Sequence, residues 1–382
     1  MKIVADRQIP FVEQAFSTLG EVVLSEGRKI TPKLVAAADI LLVRSVTPVT
    51  AGLLKGSRAR FVASATSGID HVDLEYLKTA NIGFAAAQGS NAQAVVEYVL
   101  SSLMVLAGQQ GFDLQNKTAG IIGCGQVGSR LRSSLTTLGI KCLANDPPLQ
   151  DSTGDPGYCD LPEIMTADIV SLHIPLTDTG LYPTRNLVNE KFLAGMKPDA
   201  ILINTSRGGV IHESALKQYL KQHAGFSVVL DVWEHEPQID MELLPLAAIA
   251  TPHIAGYSTD AKLRATEMIF AAVCDYLGFG HTWQPVRDIF VQTRQHIRLD
   301  TEMSDVEAIQ MAILAHYDVR SDAAALRRAL EIDRQKTGYY FDELRRNYPV
   351  RREFPATTIS LPAGRDKLSG ILAHLGFTVT DN

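Results

Sequence analysis

The segment 117–128, K-T-A-G-I-I-G-C-G-Q-V-G, constrains the fold more than any other stretch of this chain. An apolar strand pattern runs directly into three glycines spaced Gly123-x-Gly125-x-x-Gly128, where a helical pattern begins. Gly123 allows a tight turn, Gly125 lets backbone approach a pyrophosphate, and Gly128 permits close packing of helix on strand. The free N–H groups and partial positive charge of the helix N-terminus then face the anion. Glycine turns are common between strands and helices, so the spacing needs a second mark. Asp146 supplies it, eighteen residues beyond Gly128 at the end of the next strand, placed to bind adenosine ribose hydroxyls. Pro147, Pro148 and Leu149 follow, with no Arg to receive a 2′-phosphate, which favours NAD over NADP.

The surrounding pattern agrees with a dinucleotide fold. Strands are readable at 119–122, 140–144, 168–172, 200–203, 228–231 and 248–250, with helical stretches between most of them. That alternation predicts an α/β, doubly wound parallel sheet of the Rossmann kind. Earlier, the continuous apolar runs 39–43 and 60–64 read as strands buried on both faces, and 91–108 as one long, mostly buried helix. A further helix over 259–277 follows the last strand of the sheet. If it packs back on the N-terminal segment, that domain is discontinuous. The tail differs: helices at 303–316 and 321–332, then strand, helix and strand at 357–361, 364–375 and 377–380, a small separate domain with no chemical motif of its own.

Bulk properties remove other classes. With 382 residues, two or three domains are expected, and 46% hydrophobic with 20% charged residues is a globular mix. The formal charge of −6 lacks the basic excess of a nucleic-acid binder. Cys124, Cys142, Cys159 and Cys274 lie far apart, predicting neither a metal site nor a disulfide framework. The N-terminus reads as a strand rather than a signal peptide, and no run approaches membrane-spanning length, so a cytoplasmic protein with no membrane partner is expected.

Three strand ends carry unusual residues. Residues 200–210 end an apolar strand at Arg207, 228–237 carry Asp231 and Glu236, and 248–257 carry His253. Ligands bind outside the carboxyl ends of strands in such sheets, so these loops are candidates for one cleft. Oxidation of a 2-hydroxy acid needs a base for the hydroxyl proton as hydride leaves C2, and histidine titrates in the useful range. A carboxylate would orient the imidazole, and an arginine fork would hold the substrate carboxylate and C2 oxygen. His253, Glu236 and Arg207 fill these roles in that order. Alternatives stay open: His71, His173 and His235 also lie near strand ends or loops, Glu234 rivals Glu236, and Asp231 could only cap a turn.

Together, G-C-G-Q-V-G, I-N-T-S-R-G-G, D-V-W-E-x-E-P and T-P-H-I-A-G occur in an order that resembles the D-isomer-specific 2-hydroxyacid dehydrogenase family, over about residues 1–285. The resemblance implies catalytic roles for Arg207, Glu236 and His253, and a discontinuous, flavodoxin-like substrate domain. R-S-V-T at 44–47, T-S-G-I-D-H-V-D at 66–73, N-A-Q-A-V-V-E-Y at 91–98 and H-I-A-G-Y-S at 253–258 narrow it to one subgroup, as do 317–322 and Arg351-Arg352-Glu353. That subgroup implies a small phosphorylated 2-hydroxy acid as substrate and a homodimer formed through the C-terminal domain. It matches Ser45, Thr66 and Tyr257 to substrate-binding positions, and Gln126, Val127, Ser206, Gly208, Asp231 and Gly256 to cofactor-binding positions, beside Gly123, Gly125, Gly128 and Asp146. The implied division is 1–95 with 255–285 for substrate, 96–254 for NAD, and 286–382 for a small α+β dimerisation domain. Gln88-Gly89-Ser90 departs from the subgroup's pattern next to the Asn91-Ala92 pair, which bears on fine specificity. The substrate phosphate has two candidate sets of ligands, Arg44 or the cluster Arg345, Arg346, Arg351 and Arg352. Other 2-hydroxy acids (3-phosphoglycerate, glycerate, lactate) and an NAD-sensing protein without turnover are the competing readings.

Overall fold

The structure, a computed structural model, describes residues 1–285, 295–333 and 336–381. The chain divides into two compact units: Met1–Asn91 with the stretch beginning at Ser258, and Ala92–Tyr257 with the C-terminal part of the chain.

The first unit is built on five parallel strands, β1 (Lys2–Asp6), β2 (Glu21–Ser25), β3 (Ile40–Val43), β4 (Phe61–Ser64) and β5 (Gly83–Ala86), in the order β2-β1-β3-β4-β5. This is the flavodoxin-like order. Its central strands are continuous apolar runs because both faces are covered, and all of Ile40, Leu41, Leu42 and Val43 are buried. The helix Thr259–Leu277 closes one face. Ser258 Oγ caps its start by accepting from Ala261 N, and Gly278 in the left-handed region ends it. Its Ile269, Phe270, Val273 and Cys274 join Ile3, Ala5, Phe16 and Phe61 in one core. Phe270 meets Phe16 edge to face at 5.4 Å. The helix after His253 therefore does return to the N-terminal sheet.

The second unit holds six parallel strands, β6 (Thr118–Ile122), β7 (Lys141–Asn145), β8 (Ile169–Leu172), β9 (Ile201–Asn204), β10 (Ser227–Leu230) and β11 (Ile249–Ala250), in the order β11-β10-β9-β8-β6-β7. β6 pairs with β7 on one side and β8 on the other, so the winding reverses at β6. The crevice outside the carboxyl ends of the strands at that switch point is where ligands bind in such sheets. Pairing of Asn204 with Leu230, and of Leu230 with Ala250, brings the ends of β9, β10 and β11 side by side.

The helix Ala92–Gln110 corrects one expectation from sequence. Over 19 residues it is long and apolar enough to cross a membrane by length and composition. In this fold most of it is buried as a core helix: Val99, Leu103 and Leu106 pack with Ile121 and Ile203 of the sheet, and with Ile309, Ala312 and Ile359 of the C-terminal segment. That segment thus shares a core with the dinucleotide sheet. It contains the helices Asp305–His316, Val319–Ile332, Thr337–Arg346 and Asp366–Leu375, and a third parallel sheet of β12 (Gln295–Arg298), β13 (Thr357–Leu361) and β14 (Thr378–Asp381). The implied domain boundary at 285/286 adjoins 286–294, which lies outside the described residues.

Two elements of the C-terminal segment were not anticipated from sequence. β12, Q-H-I-R, has one apolar residue and so lacks a strand-like pattern; among the described residues it pairs on its β13 side alone. The helix Thr337–Arg346 has a glycine at its second position, which the pattern penalises. A Cβ there would lie 2.4 Å from Gln238 Nε2, so glycine serves close packing.

Candidate active site

The glycine turn follows β6 as the spacing requires. Gly123 takes φ of +87°, open to glycine at little cost, and a Cβ on it would meet the His173 carbonyl oxygen at 2.5 Å. A Cβ on Gly128 would come within 1.9 Å of Gly123 O, so the helix Gly128–Thr137 starts hard against the turn. Gly125 and Gln126 are exposed and Val127 half-buried. At the end of β7, Asp146 Oδ2 accepts from Cys124 N at 2.7 Å and Oδ1 from Leu149 N at 3.1 Å. These bonds fix the carboxylate beside the turn, and each oxygen keeps a lone pair for a hydroxyl donor. The open turn, the helix N-terminus and the anchored acid together fit a dinucleotide.

The loops after β9, β10 and β11 are locked together by backbone. A Cβ on Gly208 would sit 1.9 Å from both the carbonyl carbon and oxygen of Trp233, so the Arg207 loop lies directly against the Trp233–Glu236 turn. Ser206 is buried and donates through Oγ to Asn204 Oδ1 at 2.8 Å, while Asn204 Nδ2 donates to Arg207 O at 3.0 Å. Half-buried Arg207 folds its guanidinium back to Ser206 O at 2.7 Å.

Asp231 is buried and works inward. Its Oδ1 accepts from Thr251 Oγ1 and Ile254 N, both at 2.7 Å, and its Oδ2 from Ala255 N at 2.9 Å. His253 N donates to Asp231 O at 2.7 Å. Tyr98 OH and Trp233 Nε1 fasten Thr251 from its other sides, at 2.7 and 3.0 Å. Burial holds the Asp231 carboxyl above the ordinary carboxylate value, against the pull of His253 and its three donors. The result is a rigid loop in which His253 adopts φ of +56°, a strained conformation for a residue with a Cβ. Gly256 completes the same loop.

His253 and Glu236 meet within it. Glu236 Oε2 lies 2.7 Å from His253 Nδ1, and its Oε1 accepts from Trp233 N at 2.9 Å. Burial pushes Glu236 up, but the His253 ring, their hydrogen bond and the Trp233 N–H outweigh it and hold the carboxyl below the ordinary range. With Nδ1 committed to Glu236, Nε2 is the atom left to exchange a proton. The rival carboxylate points elsewhere: Glu213 N donates to Glu234 Oε2 at 3.4 Å, and Glu234 N to Glu213 Oε1 at 2.7 Å. His173 is half-buried between Ser171 Oγ at 2.9 Å and Thr205 Oγ1 at 3.4 Å, and desolvation pushes it down to about 3. His71 lies in the other unit, 3.1 Å from Ser64 Oγ. His235, on the Trp233–Glu236 turn, makes no such pairing with Glu236, whose two oxygens are taken by His253 and Trp233.

The C-terminal helix Thr337–Arg346 adds a cation that the sequence left within a loose cluster. Arg345 stacks over Tyr257 and Phe341, its guanidinium carbon 5.7 and 5.8 Å from the ring centroids. Its charge also acts on Glu236. The other cluster members diverge. Arg346 is exposed and pairs with Glu343 at 3.1 Å. Arg351 is buried over the Tyr317 ring at 3.7 Å and donates to Ala255 O and Ala94 O. The Arg352 carbonyl accepts from His316 Nε2 at 3.0 Å. In the first unit, exposed Ser45 follows β3 and Thr66 follows β4, with Thr66 Oγ1 2.7 Å from Ser64 Oγ. Arg44 Nε pairs with buried Asp6 at 2.9 Å. Among the described residues, no cluster of His, Cys, Asp and Glu suited to a metal ion is present.

A family model described as the NAD binding domain of D-isomer specific 2-hydroxyacid dehydrogenases matches residues 97–255, and a domain of unknown function matches 291–376. Over its whole length the chain is 46% identical to erythronate-4-phosphate dehydrogenase of Hahella chejuensis, each chain covered to 100%. The chain belongs to the erythronate-4-phosphate dehydrogenase family. The enzyme of that name from Edwardsiella ictaluri is 44% identical, with 99% of each chain covered. NAD⁺-bound 3-phosphoglycerate dehydrogenase of Entamoeba histolytica shares the fold at a TM-score of 0.61 and 23% identity, over 73% of this chain and 95% of that one. As a member of the erythronate-4-phosphate dehydrogenase family, the chain is an NAD-dependent oxidoreductase of the D-2-hydroxyacid class.

Proposed function

We propose that this chain oxidises 4-phospho-D-erythronate to (R)-3-hydroxy-2-oxo-4-phosphobutanoate, a step toward pyridoxal 5′-phosphate. The observation that carries the reading is the 2.7 Å pair of His253 Nδ1 and Glu236 Oε2 in the loop after β11, alongside relatives of that name over the full chain. Gly123, Gly125, Gln126, Val127, Gly128, Asp146, Ser206, Gly208 and Gly256 would hold NAD, which when bound would supply the hydride acceptor for this oxidation. Asp231 serves that site by holding the loop. His253 Nε2 takes the C2 hydroxyl proton, and Glu236 stabilises the imidazolium that forms. Arg207 offers two N–H donors to the substrate carboxylate, keeping C2 oriented. Ser45, Thr66 and Tyr257 are assigned to the substrate.

The division of labour follows: 1–95 with 255–285 for substrate, 96–254 for NAD, and 286–382 for self-association. Val306, Ile332, Tyr339 and Val350 are apolar and exposed on the C-terminal segment, which supports a homodimer formed there. Sedimentation velocity at micromolar concentration tests this, and a monomer would count against it. A cytoplasmic location belongs to the same reading, supported by four unpaired cysteines. The deciding assay is NADH formation with 4-phospho-D-erythronate, 3-phosphoglycerate and unphosphorylated D-erythronate. A clear preference for the first supports the proposal; equal or greater turnover of 3-phosphoglycerate overturns it.

A further inference from the structure

We propose that Arg345 recognises the phosphate of the substrate, so that the C-terminal region takes part directly in substrate selection. This rests on the phosphorylated-substrate reading above. The helix that carries Arg345 falls within the part of the chain that matches a domain of unknown function.

The guanidinium is nearly enclosed, with 19% of the side chain exposed, and burial works against its charge, which Tyr257, Glu236 and Asp342 offset without a close carboxylate pair. Asp342, one turn earlier on the same helix, stays 3.9 Å from Nη1. Glu236 contributes charge, but its two oxygens are engaged by His253 and Trp233 N. Arg345 Nε is buried and has no hydrogen-bond partner. An arginine carries five N–H donors, and burying one without acceptors costs free energy. Stacking over Tyr257 and Phe341 fixes the plane of the group through its faces; Tyr257 also takes a hydrogen bond from the guanidinium, and the remaining donors are left for an anion.

The chemistry of the substrate matches this second cation. A 4-phospho-2-hydroxy acid is anionic at both ends, and Arg207 is assigned to the carboxylate. A phosphate monoester offers three oxygens to the fork of a second arginine. Its position against Tyr257, itself assigned to substrate, puts Arg345 among the substrate's neighbours rather than the dinucleotide's.

A second role would imitate this one. If Arg345 acted only as electrostatic support for Glu236, its loss would slow every substrate alike. The test is therefore the ratio of kcat/KM for 4-phospho-D-erythronate to that for D-erythronate, in wild type, Arg345→Gln and Arg345→Lys. The ratio is expected to fall about 30- to 100-fold in Arg345→Gln, with KM carrying most of the loss, and less in Arg345→Lys. A ratio equal to wild type overturns the proposal. Titration of inorganic phosphate into the NAD-loaded protein, in which the glycine turn is already filled, is the second measurement. Affinity should weaken about tenfold or more in Arg345→Gln; unchanged affinity also overturns it. If wild type fails to oxidise 4-phospho-D-erythronate, the substrate reading falls, and the phosphate titration still decides the role of Arg345.

Discussion

Replacing Glu236 with Gln removes one negative charge 2.7 Å from His253 Nδ1 while preserving the size of the side chain. The amide can still accept from Trp233 N through its oxygen, so the turn should survive. What disappears is the charge-assisted bond to the imidazolium formed when His253 takes the substrate proton. Such bonds contribute roughly 1.5–3 kcal/mol. Because the imidazolium develops with the transition state, that loss falls on kcat. At about 1.4 kcal/mol per factor of ten, turnover should drop on the order of 10- to 150-fold. NAD affinity should change little, as Glu236 lies outside the glycine turn. Steady-state NADH formation at saturating NAD gives kcat, and fluorescence titration gives NAD affinity. Glu234→Gln is the control, since that carboxylate faces Glu213. Turnover preserved within about twofold in Glu236→Gln, or a larger loss in Glu234→Gln, would refute the assignment of the carboxylate.

Three further outcomes are expected. His253→Ala should lower turnover about 10²- to 10⁴-fold, the range for losing a general base, with NAD titration close to wild type. Near-normal turnover would remove His253 from the mechanism. Gly128→Ala forces its new methyl against Gly123 O, so NAD affinity should weaken on the order of tenfold or more; an unchanged titration would show that the turn does not bind the pyrophosphate. Glu97→Gln concerns stability. Burial pushes the Glu97 carboxyl up to about 8 against the Arg351 guanidinium 3.8 Å away, whereas its ordinary value is 4.5. Between those two values the fold holds a proton that the unfolded chain releases, so stability falls as pH rises, by up to about 1.4 kcal/mol per unit. Urea denaturation from pH 5 to 8 should show a flatter profile in Glu97→Gln, and identical slopes would exclude Glu97 as the source.

Local sequence alone determined the central strands of the two larger parallel sheets and the dinucleotide turn. Ile40–Val43 and Ile201–Asn204 are continuous apolar runs because a strand covered on both faces has no polar side to display. The three glycines are dictated by backbone geometry that any side chain would block, so they are legible without the rest of the molecule. The types of the catalytic groups were legible too, since each strand end announces an Arg, a carboxylate or a His. Their pairing was not. Glu234 and Glu236 are two residues apart, and only the turn at Trp233, pressed against Gly208, decides which carboxylate reaches His253. Asp231 was readable as a cofactor contact or as a cap on the following turn, and only the fold shows it turned inward to clamp Thr251, Ile254 and Ala255. Arg345 is the extreme case. It lies 88 residues beyond Tyr257, in a run of arginines that differ little by local pattern. Separation of that kind is closed only by packing of the C-terminal helices onto the core shared with the dinucleotide sheet, a long-range burial that no local spacing records.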